Sequence, residues 1–121
     1  MSTHEAISRA AQPGTRIPTP SGRSVFEVAQ ITTDAIVLLF GAKRTRTRIP
    51  WTLLDEVMAA VPGERWMPVG AMHSSSSEAG TLEALLKPSL KRSTANYVAA
   101  LLEKAGLLEL DRSGTHRIRR R

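Results

Sequence analysis

The chain has 121 residues, enough for one compact domain; 41% are apolar but only 4% aromatic, so its core must be built from Leu, Val, Ile and Ala around Trp51 and Trp66. There is no cysteine, which excludes disulfides, thiolate catalysis and cysteine zinc sites. No run approaches the roughly 20 apolar residues of a membrane span, and the polar N-terminus has no secretory apolar region, so a cytoplasmic location is expected.

The net charge of +6 is segregated: residues 1–50 carry +4, residues 51–86 carry −4 and residues 87–121 carry +6. Separated blocks of positive charge suit a polyanionic partner, against the plainer alternative of a basic surface with no partner at all.

Residues 1–22 are rich in Ser, Thr, Ala, Gly and Pro, and Pro13, Pro18 and Pro20 restrict the backbone, so residues 1–16 are expected to form a flexible tail with Ile17 the first to touch the core. Residues 17–62 read as a small sheet plus a helix. Val25–Ile31 is dominated by β-formers, Thr32, Asp34 and their neighbours supply a turn, and Ala35–Phe40 is a near-continuous apolar run as in a central strand. After a turn at Gly41, residues 43–49 alternate basic side chains with Thr or Ile. Pro50 is placed to open a helix, along which Trp51, Leu54, Met58 and Val61 recur at helical spacing until Pro62 and Gly63 stop it.

Residues 63–80 read as a mobile loop with a serine tract at 74–77, in which Trp66, Met67 and Val69 form a brief strand or plug. A short helix over residues 81–86 has Thr81 as N-cap and Pro88 just beyond its end. A further helix over residues 94–105 has Ser93 or Thr94 at its start, Gly106 as its stop, and Val98, Leu101, Leu102 and Ala105 on one face; Ala99, Ala100 and Glu103 are left for the exposed side. Residues 107–110 and 115–119 then flank Asp111, Arg112, Ser113 and Gly114, the chemistry of a hairpin turn. The fold class that follows is α+β: a small antiparallel sheet and helix packed on a unit formed by residues 81–121.

The stretch GTLEALLKPSLKRSTANYVAALLEKAGLLELDRSGTHRIRRR gives, in order, a helix, a basic turn, a second helix, a glycine stop and a hairpin with a basic tail. That order resembles the helix-turn-helix and wing of winged-helix DNA-binding proteins. The resemblance implies that the second helix enters the major groove, with Arg92, Thr94 and Asn96 reading bases, and that Lys91, Arg112, Arg117 and Arg119 hold phosphates. It also implies a dimer on double-stranded DNA. The wider order FEV, AIVLLF, RTRTRIPW, YVAALLE is similar to small bacterial and phage domains, some of them beside DNA-processing enzymes.

Residues 43–49 carry a second signal. In a strand, Arg44, Arg46 and Arg48 project from one face at intervals of about 6.6 Å, a comb for phosphates. The same charges also serve to protect an edge strand from aggregation. His4, His73 and His116 lie far apart without metal-ligand spacing, no nucleophile or phosphate-loop motif is present, and Asp55 and Glu56 are adjacent on a helix, so no enzyme, metal, cofactor or small-molecule ligand is expected. The expected function is non-enzymatic double-stranded DNA binding. The alternatives are a protein-interaction module working through the sheet edge or the alanine face of the later helix, and, third, an RNA binder.

Overall fold

The computed structural model describes residues 2–41, 43–70, 80–90, 94–112 and 116–121. Among the described residues the architecture is α+β, with two antiparallel sheets and four helices sharing one core.

The chain opens with a helix, α1 (Thr3–Ala10), where composition leads one to expect a flexible tail. The cause is local. Ser2 is the N-cap: its Oγ accepts the Glu5 backbone N–H at 3.1 Å and donates to the Glu5 carboxylate at 3.1 Å. This arrangement satisfies an otherwise orphaned helical donor. Ala6, Ile7 and Ala11 then point inward with Ile7 wholly buried, and α1 touches the helices α2 (Trp51–Ala60) and α4 (Ala95–Lys104).

Strands β1 (Arg16–Pro18), β2 (Val25–Ile31), β3 (Ala35–Phe40) and β4 (Thr45–Pro50) follow as an antiparallel meander in the order β1-β2-β3-β4. Ile17, Phe26, Val28, Ile36, Leu38, Phe40 and Ile49 form the inner face. The register shifts between Val28 and Gln30, a bulge that returns Ile31 to the inner face beside Ile36. Pro50 closes β4 and occupies the N-cap of α2, so the helix begins one residue later than expected. The Trp51 indole anchors that junction by donating to the Thr32 carbonyl at 2.8 Å, and His4 stacks on its ring at 4.1 Å.

The second sheet has the order β5-β7-β6, from β5 (Met67–Pro68), β6 (Leu108–Asp111) and β7 (Arg117–Arg120). Part of the expected mobile loop is therefore a strand, with Met67 and Val69 buried; the serine tract lies outside the described residues. Helix α3 (Leu82–Leu90) is capped by Thr81, whose Oγ1 accepts the Ala84 N–H at 3.1 Å. It runs on through Pro88 for two residues instead of ending before it. The proline falls in the last turn, where few later residues depend on the missing hydrogen bond.

Helix α4 occupies the centre. It touches α1, α3, β1 and β6. Ala95, Val98, Ala99, Ala100, Leu101 and Leu102 are all buried, so the alanines expected on an exposed side are core residues. Tyr97 packs its ring on the inner face of the first sheet, stacked on Phe40 at 3.9 Å and edge-on to Phe26 at 5.4 Å. Gly106, at φ +77, ends the helix in the left-handed conformation suited to glycine.

If α1 belongs to the core, Ile7→Ala should cost about 2–4 kcal/mol, the usual range for truncating a fully buried isoleucine. Urea unfolding followed by circular dichroism measures this; a change close to zero would return residues 1–16 to the status of a tail.

Candidate nucleic-acid interface

Arginine is the main cation of this chain, and two groups of arginines are gathered by the fold. The first lies on the outer face of the four-stranded sheet. Arg46 and Arg48 are exposed while Thr47 between them and Ile49 after them are buried, as strand alternation requires. Cross-strand pairing then lays out two rows. One runs Arg16, Glu27, Leu39, Arg46, and the other Gln30, Val37, Arg48. Arg44 sits in the turn before β4 at φ +51, and its guanidinium reaches across β3 to the Glu27 carboxylate at 3.4 Å. Arg46 likewise reaches Gln30 at 3.5 Å. These arches cover Leu39 and Val37 with aliphatic stems while the charged heads remain in water. Among the residues of these four strands the only carboxylate is Glu27.

The second group lies on the β6–β7 hairpin, where Arg112, Arg117 and Arg119 have acidic partners while Arg120 reaches the Met58 carbonyl and Arg121 the Leu108 carbonyl. Arg112 makes a two-pronged pair with Glu103 of α4, both contacts at 2.6 Å. The hydrogen bond to Glu103 holds the Arg112 guanidinium above its ordinary pKa, with burial opposing and the charge of Glu103 assisting. Arg117 pairs with Asp111, and Arg119 with Glu109 at 2.9 Å. Both arginines also lie against Trp66, their guanidinium carbons 5.6 and 4.4 Å from the ring centre. Arg112, Arg117 and Arg119 are thus charge-compensated cross-links of the hairpin, unlike the sheet arginines.

The residues expected at the start of the later helix fare differently. Lys91 and Arg92 lie outside the described residues. Thr94 is fully buried, and its hydroxyl has no hydrogen-bond partner, so it is not positioned to read a base. Asn96 is half-buried in the first turn of α4. The comb and α4 lie on opposite sides of the sheet, because Tyr97 packs on the face that bears Phe26 and Phe40. Arg44, Arg46 and Arg48 therefore share a face with Arg16 and Glu27, not with Thr94 and Asn96. Arg16 carries no sequence signal of its own; only the pairing register brings it to this face.

Among the described residues no cluster of His, Asp or Glu side chains could hold a metal ion, and no helix is long and apolar enough to cross a membrane. No protein family, no curated protein and no solved structure matches the chain.

The buried, unpartnered hydroxyl of Thr94 gives a test of its role. Thr94→Val removes an unsatisfied buried group and no cap hydrogen bond. It should raise stability by about 1 kcal/mol and leave duplex affinity unchanged; a loss of affinity at preserved stability would restore Thr94 to the interface.

Proposed function

We propose that this is a non-enzymatic, double-stranded-DNA-binding protein that grips the phosphate backbone with the outer face of its four-stranded sheet. The supporting observation is the set Arg16, Arg44, Arg46 and Arg48 on a face whose strands carry a single carboxylate. Exposed guanidiniums bind phosphate through paired N–H donors and release condensed counterions, which yields affinity without sequence preference. The face offers no aromatic ring for base stacking: Phe26, Phe40 and Tyr97 pack together inside, Trp51 is buried in α2, and Trp66 belongs to the other sheet. Stacking platforms are the means by which sheets hold single strands, so a duplex backbone suits this face better than single-stranded DNA or RNA. On this reading the protein works in the cytoplasm of a prokaryotic or phage-infected cell. The dimer enters the proposal as the stoichiometry to be measured, two chains per duplex.

Fluorescence anisotropy with a labelled random-sequence duplex over a salt series tests the proposal. Binding should be saturable and fall log-linearly with salt. Changing Arg44, Arg46 and Arg48 together to Ala should flatten the slope by about 2.7, at roughly 0.9 for each phosphate that is no longer neutralised. Arg117→Ala and Arg119→Ala should each flatten it by less than that single-phosphate increment. Absence of binding at low salt, or an unchanged slope in the triple variant, would overturn the reading.

A further inference from the structure

β4 is the edge of its sheet, and two backbone hydrogen bonds set the phase of its ladder. Trp51 donates its backbone N–H to the Asp34 carbonyl at 3.1 Å, and Thr32 donates to the Ala35 carbonyl at 2.9 Å. The first bond makes the Asp34–Trp51 pair a bonded one; the second turns Ala35 toward β2. Bonded and non-bonded positions alternate along an antiparallel pair. With the register Ile36–Ile49, Leu38–Thr47 and Phe40–Thr45, it follows that Thr45, Thr47 and Ile49 bond back to β3. The backbone N–H and C=O groups of Arg46 and Arg48 therefore face outward, and among the described residues no strand pairs with them.

Three further features lie along this edge. Arg46 and Arg48 are exposed and, among the described residues, have no carboxylate partner. A groove of about 280 Å³ opens at the end of β4 between the strand, α2 and α3, with Arg48 at its rim and Pro50, Leu53 and Leu90 in its wall. Thr52, Glu56 and Ser89 complete its lining, so the groove is mainly polar.

We infer that the β4 edge is a docking site for an extended acidic segment of a partner protein, which adds as a further strand. Main-chain hydrogen bonds supply affinity in this mode and alternate side chains supply selectivity. Charge chooses the occupant. A second copy pairing β4 with β4 would set Arg46 and Arg48 against the same residues of its twin, and like charges across a ladder are destabilising. A strand with glutamates on that face is complementary. Edge protection by charge, the usual role of basic residues on a free strand, predicts no binding of an acidic strand, and the peptide titration separates the two. Strand addition at this edge does not require DNA binding by the sheet face.

The test is anisotropy of the full chain with a labelled, end-capped peptide alternating glutamate and valine. Saturable binding is expected. Backbone N-methylation of alternate residues should weaken it about tenfold or more in one phase, where the blocked N–H groups face β4, and leave it unchanged in the other. The double variant Arg46→Glu, Arg48→Glu, with its fold checked by circular dichroism, should shift preference to a lysine–valine peptide. Equal weakening or equal tolerance in both phases would overturn strand addition and leave the arginines as a general anion surface, the outcome expected if nucleic acid alone is the ligand. No peptide binding at low salt would overturn it too. The methylation arm needs no protein variant, and the duplex titration stands or falls separately.

Discussion

The burial of most of α4's circumference is the constraint from which the rest of the structure follows. A helix apolar around most of its circumference must be covered around most of its circumference. Ala95, Ala99 and Ala100 let neighbouring backbones approach closely, while Val98, Leu101 and Leu102 supply the bulk. The sheet closes one side through Tyr97, and α1, α3 and β6 close the others. What α4 leaves partly exposed is a narrow stripe through Asn96, Glu103 and Lys104, and Glu103 is engaged by Arg112. Around α4, the outer sheet face gathers Arg16, Arg44, Arg46 and Arg48 about the single carboxylate of Glu27.

The two arginine groups differ in what their charge meets. On the hairpin, Arg112, Arg117 and Arg119 face Glu103, Asp111 and Glu109, so β6, β7 and α4 are joined by exposed ion pairs and by the Trp66 ring. Each exposed pair contributes only about 0–1 kcal/mol. Their collective effect is alignment: they fix the hairpin register and hold the segment before β5 against it. On the sheet, four arginines share one glutamate, and repulsion among them persists until a counter-anion arrives. Summed charge at the level of the whole chain hides this difference.

Much of the fold was legible in the sequence because local chemistry and tertiary packing agree. The β-formers of Val25–Ile31 and the apolar run Ala35–Phe40 are strands, Thr81 caps its helix, and Gly106 stops the next. The misreadings have a common physical origin. In α1 the apolar face is only Ala6, Ile7 and Ala11, too little to declare a helix until α2 and α4 cover it; the Ser2–Glu5 capping pair was the available signal. Alanines in α4 look like an exposed face when their neighbours are unknown, yet small side chains are what a crowded centre demands. The arginine spacing in β4 was readable, but the companionship of Arg16 and Glu27 was not, since register is set by strands far apart in sequence. The bulge after Val28 likewise breaks the two-residue period that alternation would have used.

Arg44 occupies the left-handed region at φ +51, where an L-residue with a long side chain sits at a standing cost of about 1 kcal/mol. Glycine or asparagine would relax that turn. The arginine therefore trades stability for charge at the mouth of the comb, and random drift under selection for stability alone would erode it first. Its retention in a population of sequences would mark the charge itself, or its pairing with Glu27, as what is kept.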